Sequence, residues 1–187
     1  VNRRAALAAG SSIGRVETVT IRRALPTEFD TVGELTARAY LAGGHIAPDN
    51  THYLPVLRDA ADRAAKAELL VAVRGEEVCG TVTVARHGGE YTELARPGDL
   101  EFRMLAVAPE AAGAGVGRAL VGRVLDLAGS ENWERVVMYS DSSMTVAHGL
   151  YRGMGFRRVP EDDREPVAGV RLLAFALRIQ RGVVVHR

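Results

Sequence analysis

The most constraining stretch of the chain is LAVAPEAAGAGVGRALV, Leu105 to Val121, in which Gly113, Gly115 and Gly117 fall at alternate positions between two apolar runs. The first run, LEFRMLAVAP, has the composition of a strand and is stopped at Pro109, which offers no backbone donor. In the second, Val116, Leu120, Val124 and Leu127 recur at helical spacing and lay one apolar stripe along a helix. A strand that passes through so much bare backbone into an amphipathic helix needs a layered sheet-and-helix architecture to bury both elements.

The remaining segments fit that architecture. ETVTIRRA, Glu17 to Ala24, reads as a first strand ended by Leu25-Pro26, and Thr27 then reads as the N-cap of a helix to about Tyr40. A second helix is expected to start after Thr51 and run to about Glu68, with Tyr53, Leu54, Leu57, Ala61 and Ala64 at helical spacing. ELLVAVRGEEVCGTVTVARHGG follows as a hairpin about Arg74-Gly75-Glu76. RVVMYS is the next strand, and Val146, Leu150 and Met154 place an apolar stripe on a helix that Gly155 ends. FRRVP and RLLAFALRI are the last strands, joined by the acidic loop EDDREPVAG. The order is β-α-α-β-β-β-α-β-α-β-β. It predicts a single α/β domain with a central mixed sheet of about seven strands and four helices on its two faces. That domain spans residues 17–180, with a loose arm at 1–16 and a short tail at 181–187.

Bulk properties exclude several function classes. At 187 residues the chain suits one domain. Its 24 basic and 23 acidic residues nearly cancel, so no overall field argues for nucleic acid or a membrane surface as partner. No apolar run approaches the ~20 residues of a membrane helix, and RRAALAAG is too short in its apolar part for a secretory signal. The one cysteine, Cys79, excludes an internal disulfide and fits a reducing, cytoplasmic setting. His45, His52 and Asp49 match no common metal-ligand spacing, and no metal site is expected.

Consecutive N–H groups at the start of a helix form a concave donor array for phosphate oxygens, and glycine lets the ligand approach. A tight connection between strand and helix explains the same glycines. The spacing excludes a P-loop, since no Gly-Lys-Ser/Thr follows, and the third glycine falls too early for the dinucleotide fingerprint.

EFRMLAVAPEAAGAGVGRALV resembles the acyl-CoA-binding segment of the GNAT superfamily of N-acetyltransferases. There a strand ends in an apolar-Ala-Val-x-Pro run, followed by Arg/Gln-x-x-Gly-x-Gly/Ala opening a helix. Gly115 and Gly117 match the two small positions, and Ala112 stands where the family has Arg or Gln. VAHGLYRGMGF is similar to the family's later segment through Ala147, Leu150, Tyr151, Gly155 and Phe156, with Met144 in place of a common Asn. The resemblance implies a GNAT-like fold with a mostly antiparallel twisted sheet and acetyl-CoA as cosubstrate. It also implies a pyrophosphate cradle of Ala112, Gly113, Ala114, Gly115, Val116, Gly117 and Arg118, with Leu105, Ala106 and Val107 along the thioester and Met144 nearby.

Acetyl transfer to an amine needs a base, because a lysine-type amine is mostly protonated near neutrality. Glu101 is the candidate. Strand alternation is expected to send it to one face with Arg103, Leu105 and Val107, and the resemblance implies the same role; pairing of Glu101 with Arg103 is the alternative. Tyr151 is the candidate acid for the departing thiolate, as the resemblance also implies, against a plain core tyrosine. The Val107 N–H is placed to polarise the carbonyl. Cys79 reads as a small buried hydrophobe rather than a nucleophile. The resemblance implies that the segment with His45 helps frame the acceptor site, against a surface polar loop; Glu90, Tyr91 and Glu93 are expected to line the other side, where a cluster of acids favours a cationic amine, and a solvated loop explains the same residues. Trp133 reads as packing and the run EDDRE as a solvated loop.

The expected function is transfer of an acetyl group from acetyl-CoA to a primary amine of a small molecule, peptide N-terminus or lysine, by direct attack in a ternary complex. The alternatives are a non-catalytic acyl-CoA-binding sensor and an interaction protein that binds no coenzyme A. The chain is expected to act as a monomer or homodimer.

Overall fold

The structure, a computed structural model, describes residues 18–47, 49 and 52–180. The arm expected at 1–16, the strand residue Glu17 and the tail at 181–187 lie outside the described residues.

The strands are β1 (Val19–Arg23), β2 (Glu68–Arg74), β3 (Glu77–Arg86), β4 (Asp99–Val107), β5 (Arg135–Asp141), β6 (Arg157–Arg158), β7 (Arg164–Val167) and β8 (Val170–Arg178). The helices are α1 (Phe29–Ala42), α2 (Tyr53–Arg58), α3 (Ala60–Lys66), α4 (Val116–Ser130) and α5 (Thr145–Gly153). One sheet runs β1-β2-β3-β4-β5-β8-β6, with β7 also paired to β8. Only β4 and β5 are parallel among these ladders, so the mixed, mostly antiparallel sheet matches expectation.

Three expectations needed correction. The single second helix is two, because Asp59 leaves the helical region at φ −78°, ψ 72° and its carboxylate caps α3 by accepting the Asp62 N–H at 2.9 Å. Glu68, where the helix was expected to end and the hairpin to begin, is the first residue of β2. The first helix is entered through a short turn, Pro26–Glu28, rather than a Thr27 cap; the Glu28 carboxylate accepts the Leu25 N–H at 2.8 Å and pairs with Arg22 at 2.6 Å. EDDRE is not a solvated loop. Asp162 takes Arg96 at 2.5 Å, Asp163 takes Arg158 and the Ala174 N–H at 2.9 Å, and Arg164 opens an eighth strand.

Strand alternation decides which helices lie on which face. On β2, Leu69, Val71 and Val73 pack with Val32 of α1 and Ala60 of α3, whereas Leu70 and Ala72 belong with Leu120, Val121 and Val124 of α4. Helices α1 to α3 therefore cover one face and α4 the other. Tyr151 of α5 packs against Phe102, which places α5 beside α4. On α5 the buried residues are His148 and Tyr151, with Ala147, Leu150 and Met154 partly buried; Val146, expected in the stripe, is 89% exposed. Helices α1 and α2 touch backbone to backbone, since a Cβ on Gly33 would stand 2.1 Å from the Arg58 carbonyl oxygen.

Two irregularities in β4 open the centre of the sheet. The parallel ladder with β5 holds only at Asp99, Leu100 and Glu101, and beyond it the two strands run without pairing. Against β3, Arg103 lies opposite Thr83 and Ala106 opposite Thr81, so Met104 and Leu105 share the space of one residue. This is a β-bulge, and Met104 adopts a left-handed φ of 51° within it. The extra residue reverses the alternation: Glu101, Arg103 and Ala106 share the α1 side, and Val107 faces α4, its Cγ2 being 3.7 Å from where a Gly117 Cβ would stand. The expected single face for Glu101, Arg103, Leu105 and Val107 does not hold.

Candidate active site

Glycines make the junction between β4 and α4. After a turn at Pro109–Ala111, the amides of Ala111, Ala112 and Ala114 bond back to Ala108, Pro109 and Ala111 at 2.8, 3.2 and 3.3 Å. Gly113 and Gly115 have φ of 76° and 80°, a conformation that other residues adopt at a cost, and a Cβ at either would meet open space. Gly115 is the N-cap of α4 and its carbonyl accepts the Ala119 N–H at 3.0 Å. Among the described residues, the amides of Gly113, Gly115, Val116, Gly117 and Arg118 have no protein acceptor. They are the orphan donors of a helix start, with the positive end of its dipole behind them. Gly117 is small for a different reason, since its Cβ would lie 3.3 Å from Leu150. Arg118 is exposed, and its guanidinium lies 3.4 Å from where a Gly153 Cβ would stand.

The gap between β4 and β5 runs from this turn to Glu101. The Ala108 N–H donates to the Cys79 carbonyl at 3.0 Å, which makes that a hydrogen-bonded pair. The adjacent pair, Val107 and Gly80, is then of the non-bonded kind, and both main-chain polar groups of Val107 point away from β3 towards the gap.

Glu101 is fully buried at the closed end of the gap. One carboxylate oxygen, Oε2, accepts the N–H groups of Glu93, Leu94 and Ala95 at 2.9, 2.9 and 3.0 Å. The other, Oε1, is buried with no hydrogen-bond partner. Burial pushes the carboxyl above its usual pKa, opposed by the amides of Leu94 and Ala95 and the charge of Arg103. The alternative pairing of Glu101 with Arg103 is not found: Arg103 pairs with Glu93 at 2.5 Å.

Tyr151 is buried in an aromatic cage, with the Phe102, Phe156 and Phe175 rings 5.9, 5.9 and 5.8 Å away. Its hydroxyl makes no hydrogen bond among the described residues, and burial alone drives its pKa well up. The phenol thus stays protonated throughout the physiological range, as a donor must.

The other candidates lie on several elements of the fold. His45 Nδ1 lies 3.2 Å from Ser143 Oγ, bridging the segment after α1 to the start of α5, with its ring 6.3 Å from Tyr40. Tyr91 donates to Asp62 at 2.7 Å, and burial with that bond pushes its hydroxyl up to about 12. Glu90 is spent on Lys66 at 3.0 Å. Met144 is the N-cap position of α5 without a side-chain cap, and its sulfur lies 3.6 Å from Ser140 Oγ. Cys79 is buried, its thiol donating to the Ala72 carbonyl at 3.4 Å, and burial raises its pKa. Trp133 packs on the main core and donates to Glu131 at 2.9 Å. Among the described residues no group of three or more His, Cys, Asp or Glu is placed to hold a metal, and no helix is long and apolar enough to cross a membrane.

Sequence reasoning missed Arg63, which is fully buried, and gave Arg103 no role beyond a possible partner for Glu101. The only available signal for Arg103 was its place two residues from Glu101 on one strand.

The model of the acetyltransferase (GNAT) family matches residues 30–156. N-acetylaspartate synthetase of Rattus norvegicus is 31% identical over 117 residues, 63% of this chain and 36% of that protein. Mycothiol acetyltransferase of Cellulomonas flavigena is 33% identical over 98 residues, 51% of this chain and 28% of that protein. The chain thus spans about a third of the length of the curated relatives it matches. An acetyltransferase structure from Salmonella typhimurium, with its cofactor acetyl-CoA, superposes with a TM-score of 0.64 at 20% identity, over 90% of this chain and 98% of that one.

Proposed function

Because the chain belongs to the acetyltransferase (GNAT) family, we propose that it transfers an acetyl group from acetyl-CoA to a primary amine by direct attack. The observation that carries this reading is one opening with two furnished ends: unpartnered amides at 113 and 115–118, and the buried Glu101 with its partnerless Oε1. The turn fits a diphosphate, since Gly113 and Gly115 leave open space where side chains would stand and the orphan amides favour anions. Arg118 supplies a positive charge on the same helical turn, in the absence of a basic residue at position 112. The Salmonella neighbour with acetyl-CoA and the relatives named as acetyltransferases support the same cosubstrate.

Acetyl-CoA supplies a thioester carbonyl. The Val107 N–H, directed into the gap, donates to the carbonyl oxygen as charge develops there. Glu101 takes the proton that the attacking amine loses, directly or through one water, and its raised pKa makes it a better acceptor than an ordinary carboxylate. The new N–C bond forms as the C–S bond breaks, and the Tyr151 hydroxyl donates to the departing sulfur. Cys79 is buried on β3 with its thiol already bonded, which favours direct transfer over an acetyl-enzyme.

Acetyl-CoA consumption over an amine panel, with Glu101→Gln and Tyr151→Phe beside wild type, tests the reading; undiminished turnover in both variants would overturn the mechanism. A non-catalytic acyl-CoA sensor is favoured by the departures at Ala112 and Met144. Tight acetyl-CoA binding without turnover on any amine selects it.

A further inference from the structure

The α1 side of the gap is richer in cations than the sequence leads one to expect. Arg103 projects there from β4, two residues beyond Glu101 and about 6–7 Å along the strand. Its guanidinium pairs with Glu93 Oε1 at 2.5 Å, donates to the Tyr91 carbonyl at 3.4 Å and bonds the Tyr53 hydroxyl. Glu93 does not serve Arg103 alone. Its Oε2 pairs with Arg164, whose guanidinium also lies 4.7 Å over the Tyr139 ring.

Arg63 adds a third guanidinium directly behind. It is fully buried and donates to Thr83 Oγ1, Thr36 Oγ1 and the Leu57 carbonyl at 3.4, 3.2 and 3.0 Å. Its Nε has no partner, and no carboxylate lies within ion-pair distance among the described residues. Thr83 stands opposite Arg103 in the β3–β4 ladder and accepts from Arg63, so the two arginines share one wall. The acids expected to draw a cationic amine are already paired: Glu90 with Lys66, and Glu93 with Arg103 and Arg164. Among the described residues, Arg103 and Arg164 thus share one carboxylate, Glu93, and Arg63 has no ion-pair partner.

We infer that the acceptor amine carries a carboxylate that docks on Arg103, displacing Glu93 towards Arg164, while its amine faces Glu101. Glu93 is the resident stand-in for that group: a carboxylate already seated on the guanidinium, with a second arginine ready to keep it. A cationic amine would instead meet the charge of Arg103, with Arg63 buried behind it and Glu93 already shared with Arg164. Arg103 is a specificity residue, and the inference rests on the acyl-transfer reading above.

The test compares initial rates of thiol release from acetyl-CoA with L-aspartate, L-glutamate, phosphoethanolamine, L-aspartic acid diamide and spermidine, in wild type, Arg103→Gln and Arg103→Lys. The carboxylate amines should be preferred. Arg103→Gln should lower the ratio of kcat/KM for L-aspartate to that for the diamide by about tenfold or more, through KM, because a charged hydrogen bond is lost. Arg103→Lys should restore part of that ratio, and thermal melts identify a variant that has simply failed to fold. Preference for spermidine or the diamide, or an unchanged ratio in Arg103→Gln, would overturn the inference and leave acyl transfer standing; preference for phosphoethanolamine would replace the carboxylate with a phosphate. Absence of turnover on every amine removes the enzymatic reading, and the inference is then decided by titrating L-aspartate into protein saturated with coenzyme A. Binding abolished by Arg103→Gln supports it, and no binding to wild type sinks it.

Discussion

Replacing Glu101 with Gln separates the chemistry of this carboxylate from its structural duty. Oε2 accepts three main-chain amides, and a glutamine carbonyl oxygen can accept the same three. The amide nitrogen then takes the place of Oε1, which is already a buried atom without a partner. One unsatisfied polar atom replaces another, so stability should change by no more than about 1 kcal/mol, or roughly 2–4 °C in Tm for a chain of this size. The proton acceptor is lost altogether, which should lower kcat/KM by about 10²–10⁴-fold, roughly 3–5 kcal/mol on the barrier. The sign of the pH effect follows from burial. A carboxyl whose folded pKa lies above its unfolded value binds more protons when folded, so its contribution is present at low pH and is lost as pH rises through the folded pKa. Wild type should therefore lose stability relative to Glu101→Gln as pH rises through a range above the ordinary 4.5 of Glu, while its rate advantage over the variant grows. Rates of thiol release and circular-dichroism melts between about pH 5 and 9 measure both. A variant that keeps wild-type kcat/KM across this range while still binding acetyl-CoA refutes the assignment of Glu101 as base.

Tyr151→Phe keeps the ring among Phe102, Phe156 and Phe175 and removes only the hydroxyl. Turnover should fall about tenfold or more with little change in Tm, and an unchanged kcat would reduce Tyr151 to packing. Gly115→Ala puts a Cβ into open space at φ 80°, so its stability cost is conformational, about 1–2 kcal/mol, while KM for acetyl-CoA should rise more than tenfold. Gly122→Ala is its control: it lies inside α4 with open space at its Cβ, and calorimetry should show a gain of about 0.5–1 kcal/mol with no change in KM. Cys79→Ala should retain turnover, and mass spectrometry of wild type mixed with acetyl-CoA should find no acetylated thiol; an adduct on Cys79 would restore the acetyl-enzyme route.

What could be read from the sequence was whatever a local pattern determines. The β2–β3 hairpin is written in its apolar runs and in Gly75, which takes φ 60°, and the end of α5 in Gly155, at φ 94°. The glycine turn was legible as an anion cradle or a tight connection, and its geometry has features of both. The bulge at Met104 was not legible, because nothing in FRMLAV distinguishes a strand that carries an extra residue from one that does not. The break at Asp59 was hidden by apolar spacing that continues in phase across it, and the exposure of Val146 by a stripe of only three residues. Arg63 and the shared Glu93 depend on contacts between segments distant in the chain. A single arginine in AADRAAK reads as solvent-facing until Thr36, Thr83 and Leu57 are folded around it.

The inserted residue in β4 has a consequence for how such a chain can diversify. Because the pleat changes parity at Met104, one strand presents Glu101 and Arg103 to the layer of α1 to α3 and Val107 to the layer of α4. If the chain acts as proposed, substitutions in the first layer would redraw the pocket for the amine without disturbing the groove for the nucleotide tail, and the reverse would hold equally. Two recognition tasks would thereby be uncoupled by one supernumerary amino acid, each left open to vary on its own.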